Sequence, residues 1–262
     1  MRLFDTHAHL DDEQFRDNIQ QQLTEAQAAG VVAVTSIGTT LASSQRSVEL
    51  AQEYPAVYAA VGIHPNHCHE ASEDDWQSIR RLATEQRVVA IGETGLDRYW
   101  DYAPFDQQQT WFARHIELSY QLQKPLVIHQ RDCESDMLAM LRQHQRSEKV
   151  QGIMHSYCGS REAAQQYLDW GMYISFSGMV TFKNSEALRE LVREIPLDRL
   201  LIETDSPYLS PHPRRSQRPN SPALLPLTAA CIADVRGMSI KELAELTTIN
   251  ALRVFGLETK FS

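Results

Sequence analysis

Short apolar runs alternate with longer amphipathic stretches along the whole chain, and this alternation constrains the fold more than any other feature of the sequence. The strand-like runs cover residues 3–7, 31–37, 57–63, 88–91, 126–129, 152–155, 172–176 and 200–203. Helical periodicity covers 15–29, 45–54, 75–86, 107–123, 135–144, 161–170 and 185–195, with Gly30, Pro55 and Gly171 as stops. Strands that alternate with helices imply a parallel sheet, since a parallel connection needs a crossover. Eight such units in 262 residues are what a closed (β/α)8 TIM barrel requires. An open doubly wound sheet is the alternative, but it favours a glycine-rich turn after the first strand, where this chain has histidines. No linker or low-complexity segment interrupts the pattern, so residues 1–262 are expected to form a single barrel domain. A barrel also predicts that the chemistry sits at the C-terminal ends of the strands.

Those ends carry His7 and His9, His64, Glu93, His129, His155, and Glu203 with Asp205. Half of the ten histidines fall at these few positions. Side chains two apart on a strand share a face, so His7 and His9 can address one metal ion. The remaining histidines, His67, His69, His115, His144 and His212, lie in predicted loops or helices and are read as structural or solvent-exposed. Four histidines with two or more carboxylates exceed what one tetrahedral ion takes, which points to two neighbouring metals. Glu93 is the natural bridge, because a carboxylate offers two oxygens. The expected assignment is His7, His9 and Asp205 on the first ion, His129 and His155 on the second, and Glu93 on both. Glu203, two residues before Asp205, is expected one layer deeper, orienting a ligand.

With 25 basic against 34 acidic residues, the net charge is −9, which disfavours a broad phosphate-neutralising surface. An anionic substrate would have to be held locally, as bound cations can do. Arg214, Arg215 and Arg218 form the one basic concentration, readable as a solvated loop or as part of the mouth of the site. Cys68, Cys133, Cys158 and Cys231 form no CxxC pair, so reduced thiols are expected rather than a zinc ribbon. No apolar run approaches the roughly 20 residues needed to cross a bilayer, and no signal-peptide pattern precedes the first strand. The expectation is a soluble, cytoplasmic protein with no membrane association.

Six segments carry a family resemblance: Phe4-Asp5-Thr6-His7-Ala8-His9-Leu10-Asp11, Val61-Gly62-Ile63-His64-Pro65, Ile91-Gly92-Glu93-Thr94-Gly95-Leu96-Asp97, Val127-Ile128-His129-Gln130-Arg131-Asp132, Met154-His155-Ser156-Tyr157-Cys158-Gly159 and Ile202-Glu203-Thr204-Asp205-Ser206-Pro207-Tyr208-Leu209. In order and spacing they resemble TatD-type metal-dependent deoxyribonucleases across nearly the whole chain. The resemblance implies a TIM barrel of the amidohydrolase superfamily, divalent metals and 3′-to-5′ exonuclease activity on DNA. It also implies metal-binding roles for His7, His9, Glu93, His129, His155 and Asp205. Two departures stand out: His155-Ser156-Tyr157 where many members have His-Cys-Phe, and Arg218-Pro219-Asn220-Ser221-Pro222 where many read Arg-Asn-Glu-Pro. The second puts substrate preference in question.

The expected chemistry is hydrolysis of a phosphodiester by water activated between two ions. Asp205 is the expected proton acceptor, with Glu93 and Glu203 supporting it, and His64 and Arg131 are expected to face the phosphate. His64 would bind the scissile group or protonate the leaving oxygen. Arg131 has a second reading as the salt-bridge partner of Asp132 or Asp97. Single-stranded DNA or DNA 3′ ends are the expected substrates. Magnesium or manganese is the expected activating ion, although the histidine-rich donor set also suits zinc. The alternative activity is an amidohydrolase-type esterase, lactonase, amidase or aminoacyl-ester deacylase working through the same residues. A barrel without catalysis, serving as a scaffold, is the remaining reading, and no missing ligand favours it.

Overall fold

The computed structural model describes residues 1–146 and 151–258. Its eight strands are β1 (Leu3–Ala8), β2 (Val31–Ile37), β3 (Val57–Val61), β4 (Val88–Asp97), β5 (Leu126–Arg131), β6 (Gly152–Met154), β7 (Tyr173–Phe176) and β8 (Leu200–Ile202), and they hydrogen-bond side by side in sequence order. The helices between them are α1 (Ile19–Ala28), α2 (Leu41–Glu53), α3 (Glu73–Leu82), α4 (Phe105–Leu122), α5 (Glu134–Gln143), α6 (Arg161–Asp169) and α7 (Glu186–Glu194). Two more, α8 (Leu225–Arg236) and α9 (Ile240–Val254), follow β8. The architecture is the (β/α)8 barrel that the alternation predicts.

The chain divides into two compact units, one made of Met1–Thr35, Ser156–Cys158 and the chain from Ile174 onward, the other of Ser36–His155 and Gly159–Tyr173. In the first, Phe4 of β1 packs on Phe255 at 5.6 Å between ring centroids, and Leu225, Ile232 and Leu243 of the last two helices are fully buried. Asn250 of α9 donates to the carbonyls of Leu197 and Leu200, tying that helix to the start of β8. The second unit buries Ile91, Leu96, Ile128 and Ile153 from its strands against Ile79, Phe112, Ile116 and Leu141 from its helices. Burying a side chain of this size contributes about 1.5–3 kcal/mol, so each unit has its own apolar core.

Two strand ends differ from the sequence expectation in ways that position functional groups. The run expected to stop at Ile91 continues to Asp97, and Ile91 pairs with Leu126 while Thr94 pairs with Ile128. Three steps on β4 therefore match two on β5, a bulge of one residue around Gly92 and Glu93; such bulges re-aim side chains. Gly95 permits the continuation, because a Cβ there would lie 2.0 Å from the His129 carbonyl oxygen. At the other site β8 stops at Ile202, and Asp205 takes a left-handed conformation at φ 54°. Glu203 and Asp205 therefore do not share a strand face by period-two alternation, and a turn sets the direction of Asp205. Among the described residues no single helix is long and apolar enough to cross a membrane.

Candidate metal centre

The first unit brings three of the expected ligands together. His7 Nε2 lies 3.3 Å from His9 Nε2, and Asp205 Oδ1 lies 3.5 Å from the first and 3.4 Å from the second. Ligand atoms at 2.0–2.1 Å from a tetrahedral ion stand about 3.3 Å from one another, so these three atoms already have the spacing of one face of such a site. The backbone holds the group in place. The Asp205 amide donates to the His7 carbonyl, the His9 amide donates to the Ser206 carbonyl, and Ala8 pairs with Ser206 in a parallel bridge.

Beneath this triad lies Asp5, to which the sequence reading gave no role. It is fully buried on the same face of β1 as His7, and it accepts hydrogen bonds from the Thr204 amide, the Thr204 hydroxyl and the His7 amide. Burial pushes its carboxyl up to about 7, against the lowering effect of the Thr204 and His7 hydrogen bonds, and the neighbouring charge of Glu203 adds to the rise. Glu203 is itself fully buried. The period-two signal that paired His7 with His9 also contained Asp5, two residues earlier.

Asn220 is a second contributor that sequence reasoning missed. Its side-chain amide donates to the carbonyls of Thr204 and Tyr208, bracketing the turn that carries Asp205, and its own amide donates to the Pro207 carbonyl. The departure Arg218-Pro219-Asn220-Ser221-Pro222 thus ends in a buried strut. Arg218 donates to Ser210 Oγ and to the carbonyls of Arg215 and Gln217, and Arg215 lies 3.5 Å over the Phe182 ring. Two of the three loop arginines therefore brace the loop's own surroundings.

In the second unit one carboxylate oxygen gathers three imidazoles. Glu93 Oε1 lies 2.9 Å from His155 Nε2, 3.2 Å from His129 Nδ1 and 3.5 Å from His64 Nε2. The other nitrogen of His129, Nε2, lies 2.9 Å from Asp97 Oδ2. A carboxylate on the far nitrogen orients a ligating imidazole and selects its tautomer, so His129 presents Nδ1 to the centre. Burial alone would lower the pKa of His129, but its hydrogen bonds to Asp97 and Glu93 and the charge of Glu93 raise it. Asp97, which burial would raise, is held down at about 2 by the His129 hydrogen bond and by the Trp100 and Tyr99 amides.

His64 differs from the other two. Its Nδ1 accepts a hydrogen bond from the Asn66 amide at 3.1 Å, which places the proton of the neutral ring on Nε2. Burial, followed by the repulsion of His129, holds its pKa well below the usual value, despite the opposing charge of Glu93. The ring therefore presents an N–H donor to the centre rather than a lone pair. Arg131, paired in register with Asp97 at the end of the sheet, extends its guanidinium over the Tyr99 ring at 3.8 Å. Among the described residues it makes no ion pair with Asp132 or Asp97.

The family of TatD-related DNases matches residues 4–256 of the chain. A Bacillus subtilis (strain 168) protein named "Uncharacterized metal-dependent hydrolase YabD" is 42% identical over 253 residues, which cover 97% of this chain and 98% of that protein. The "3'-5' ssDNA/RNA exonuclease TatD" of Citrobacter rodentium (strain ICC168) is 36% identical over 98% of this chain and 99% of that one. The crystal structure of YJJV, a TatD homolog from Escherichia coli K12, superposes with a TM-score of 0.91 at 26% identity, covering 97% of this chain and 98% of that chain. Every strand end that carries a ligand candidate thus lies within the matched region, and the chain belongs to the family of TatD-related DNases.

Proposed function

We propose that this chain is a divalent-metal-dependent hydrolase that acts as a 3′-to-5′ exodeoxyribonuclease on single-stranded DNA or DNA 3′ ends. The observation that carries the metal-dependent part is the donor set: His7, His9 and Asp205 within tetrahedral-edge distance in one unit, and His129 and His155 gathered on Glu93 in the other. His7, His9 and Asp205 would hold one ion and His129 and His155 the second, with Glu93 shared between them. Mixed imidazole and carboxylate donors suit zinc, manganese or iron, and activity with added magnesium is compatible with the carboxylates. Bound divalent ions supply Lewis acidity toward the phosphoryl oxygens and make water a stronger nucleophile at neutral pH.

The remaining work falls to the chain's own residues. Asp205 accepts the proton of the attacking water at its carboxylate, and the turn held by Asn220 keeps that carboxylate aimed. Glu203, buried below, supports the alignment of this end of the site. His64 offers its Nε2–H to the scissile phosphate, to bind a non-bridging oxygen or to protonate the leaving oxygen. The Arg131 guanidinium neutralises an adjacent phosphate. The exonuclease named among the relatives supports the choice of nucleic acid as substrate.

The test is a chelator-stripped preparation supplied in turn with manganese, magnesium, cobalt or zinc and given 5′-labelled single-stranded DNA. The expected result is a descending ladder from the 3′ end that is lost with chelator and restored by metal. Metal uptake without cleavage of any nucleic acid would overturn the nuclease reading. Turnover of a lactone or ester panel by the same preparation would replace it with carbonyl hydrolysis.

A further inference from the structure

Beyond Asp97 the loop between β4 and α4 carries three large aromatic side chains that the core does not use. Tyr99, Trp100 and Tyr102 are 52%, 42% and 57% exposed. They are ordered against one another: Tyr99 meets Trp100 edge-on at 4.8 Å between centroids, and Trp100 stacks on Tyr102 at 5.4 Å with an interplanar angle of 21°. Arg131 reaches this group from the end of β5, 3.8 Å over Tyr99 and 5.8 Å from Trp100. The loop is anchored to the candidate metal centre by one carboxylate. Asp97 Oδ1 accepts the Tyr99 and Trp100 amides, while its Oδ2 faces His129 Nε2.

Exposed rings held in register at the edge of a hydrolytic site are costly surface features unless something stacks on them. Asp101 stands between the two stacked rings in sequence, so the loop is ill suited to cradle phosphate. Its π faces suit bases, and Arg131 supplies a positive charge beside them. Base–aromatic stacking is tolerant of sequence, because every base has a π face.

Resting on the nuclease reading above, the geometry points to Tyr99, Trp100 and Tyr102, with Arg131, as a base-stacking platform that positions the terminal nucleotides of a single strand for hydrolysis. The rings hold bases without reading their edges, and Arg131 holds the phosphate between a stacked base and the scissile bond. The substrate is therefore an unpaired strand, since bases inside a duplex have no free face to offer.

The experiment compares KM and kcat of the metal-loaded protein on a short 5′-labelled oligodeoxythymidylate and on the same strand with abasic 3′-terminal nucleotides. Wild-type protein is expected to prefer the base-bearing strand roughly tenfold in KM, the lower range of a stacking contribution. Trp100→Ala with Tyr102→Ala is expected to bring that ratio close to one with metal content unchanged, whereas Trp100→Phe with Tyr102→Phe retains most of it. Should the double alanine variant melt early, Tyr102→Ala alone carries the comparison. Wild-type protein that cuts both strands with no preference, or an alanine variant that keeps the preference, overturns the platform and leaves the nuclease reading standing. Metal-loaded protein that neither binds nor cuts either strand overturns both.

Discussion

The Asp97 carboxylate and the His129 imidazole meet at 2.9 Å between Oδ2 and Nε2, and this contact decides which nitrogen of His129 faces Glu93. Asp97→Asn keeps the volume but offers an amide that can turn either way. Outer carboxylates of this kind typically contribute 10–100-fold in metal affinity. A loss of about that size is expected in a chelator-competition titration, with the circular dichroism spectrum unchanged.

Glu93 stands within hydrogen-bond or ion-pair distance of three imidazoles through a single oxygen. Replacing it by Ala removes the shared donor without opening the apolar core, since the neighbouring groups are polar. The expected outcome is a folded protein with activity reduced by about 10²-fold or more and fewer ions per chain by elemental analysis. A folded variant with near-native turnover and metal content would sink the two-metal account.

Asn220 is buried and satisfies two carbonyls with one amide. Asn220→Ala leaves the Thr204 carbonyl without that donor, a cost of about 1–3 kcal/mol for an unsatisfied buried group. A lower midpoint in urea unfolding is expected. Because the turn carrying Asp205 loosens, kcat should fall more than KM rises.

His115 ties stability to pH at a point away from the metal ligands. It is fully buried, its Nε2 accepts the Ile63 amide at 3.0 Å, and its Nδ1 lies 2.7 Å from the Trp111 carbonyl oxygen. Burial, with a smaller contribution from Arg114 and against the Trp111 hydrogen bond, lowers its pKa from 6.5 to about 4. The unfolded chain takes up a proton below 6.5 that the folded chain refuses until about 4, so stability falls as pH drops through this window. The total is about 3 kcal/mol at roughly 1.4 kcal/mol per pH unit. His115→Gln should remove this component of the slope in urea unfolding at pH 7, 6 and 5, even if the variant is less stable throughout.

Much of the site was legible in one dimension because barrel chemistry gathers at strand ends, and strand ends are where apolar runs stop. His7, His9, His129, His155 and Asp205 fall close to such stops; in one unit His7 and His9 stand at ligand spacing with Asp205, and in the other His129 and His155 stand against Glu93. What escaped were the groups that act through hydrogen bonds across the fold. Asp97 was named only as a possible partner of Arg131, and its contact with His129 was hidden because the fourth run read as ending at Ile91, six residues early; no periodicity marks a strand that continues through Gly92 and Gly95 over a bulge. Asn220 lies in a loop without regular pattern, and its two carbonyl partners are 12 and 16 residues away.

The sequence by itself determined the fold class, through a period of strand and helix that only a parallel sheet satisfies, and the identity of the ligand candidates, through their places at the ends of those strands. The tertiary structure decided how each group points. The left-handed turn at Asp205, the bulge at Glu93 and the capture of His129 by Asp97 depend on backbone and side-chain partners distant in sequence. Local pattern encodes which face a residue occupies, because the backbone repeat is local; it does not encode tautomer or aim, because these are set by hydrogen bonds that form only once the strands are side by side.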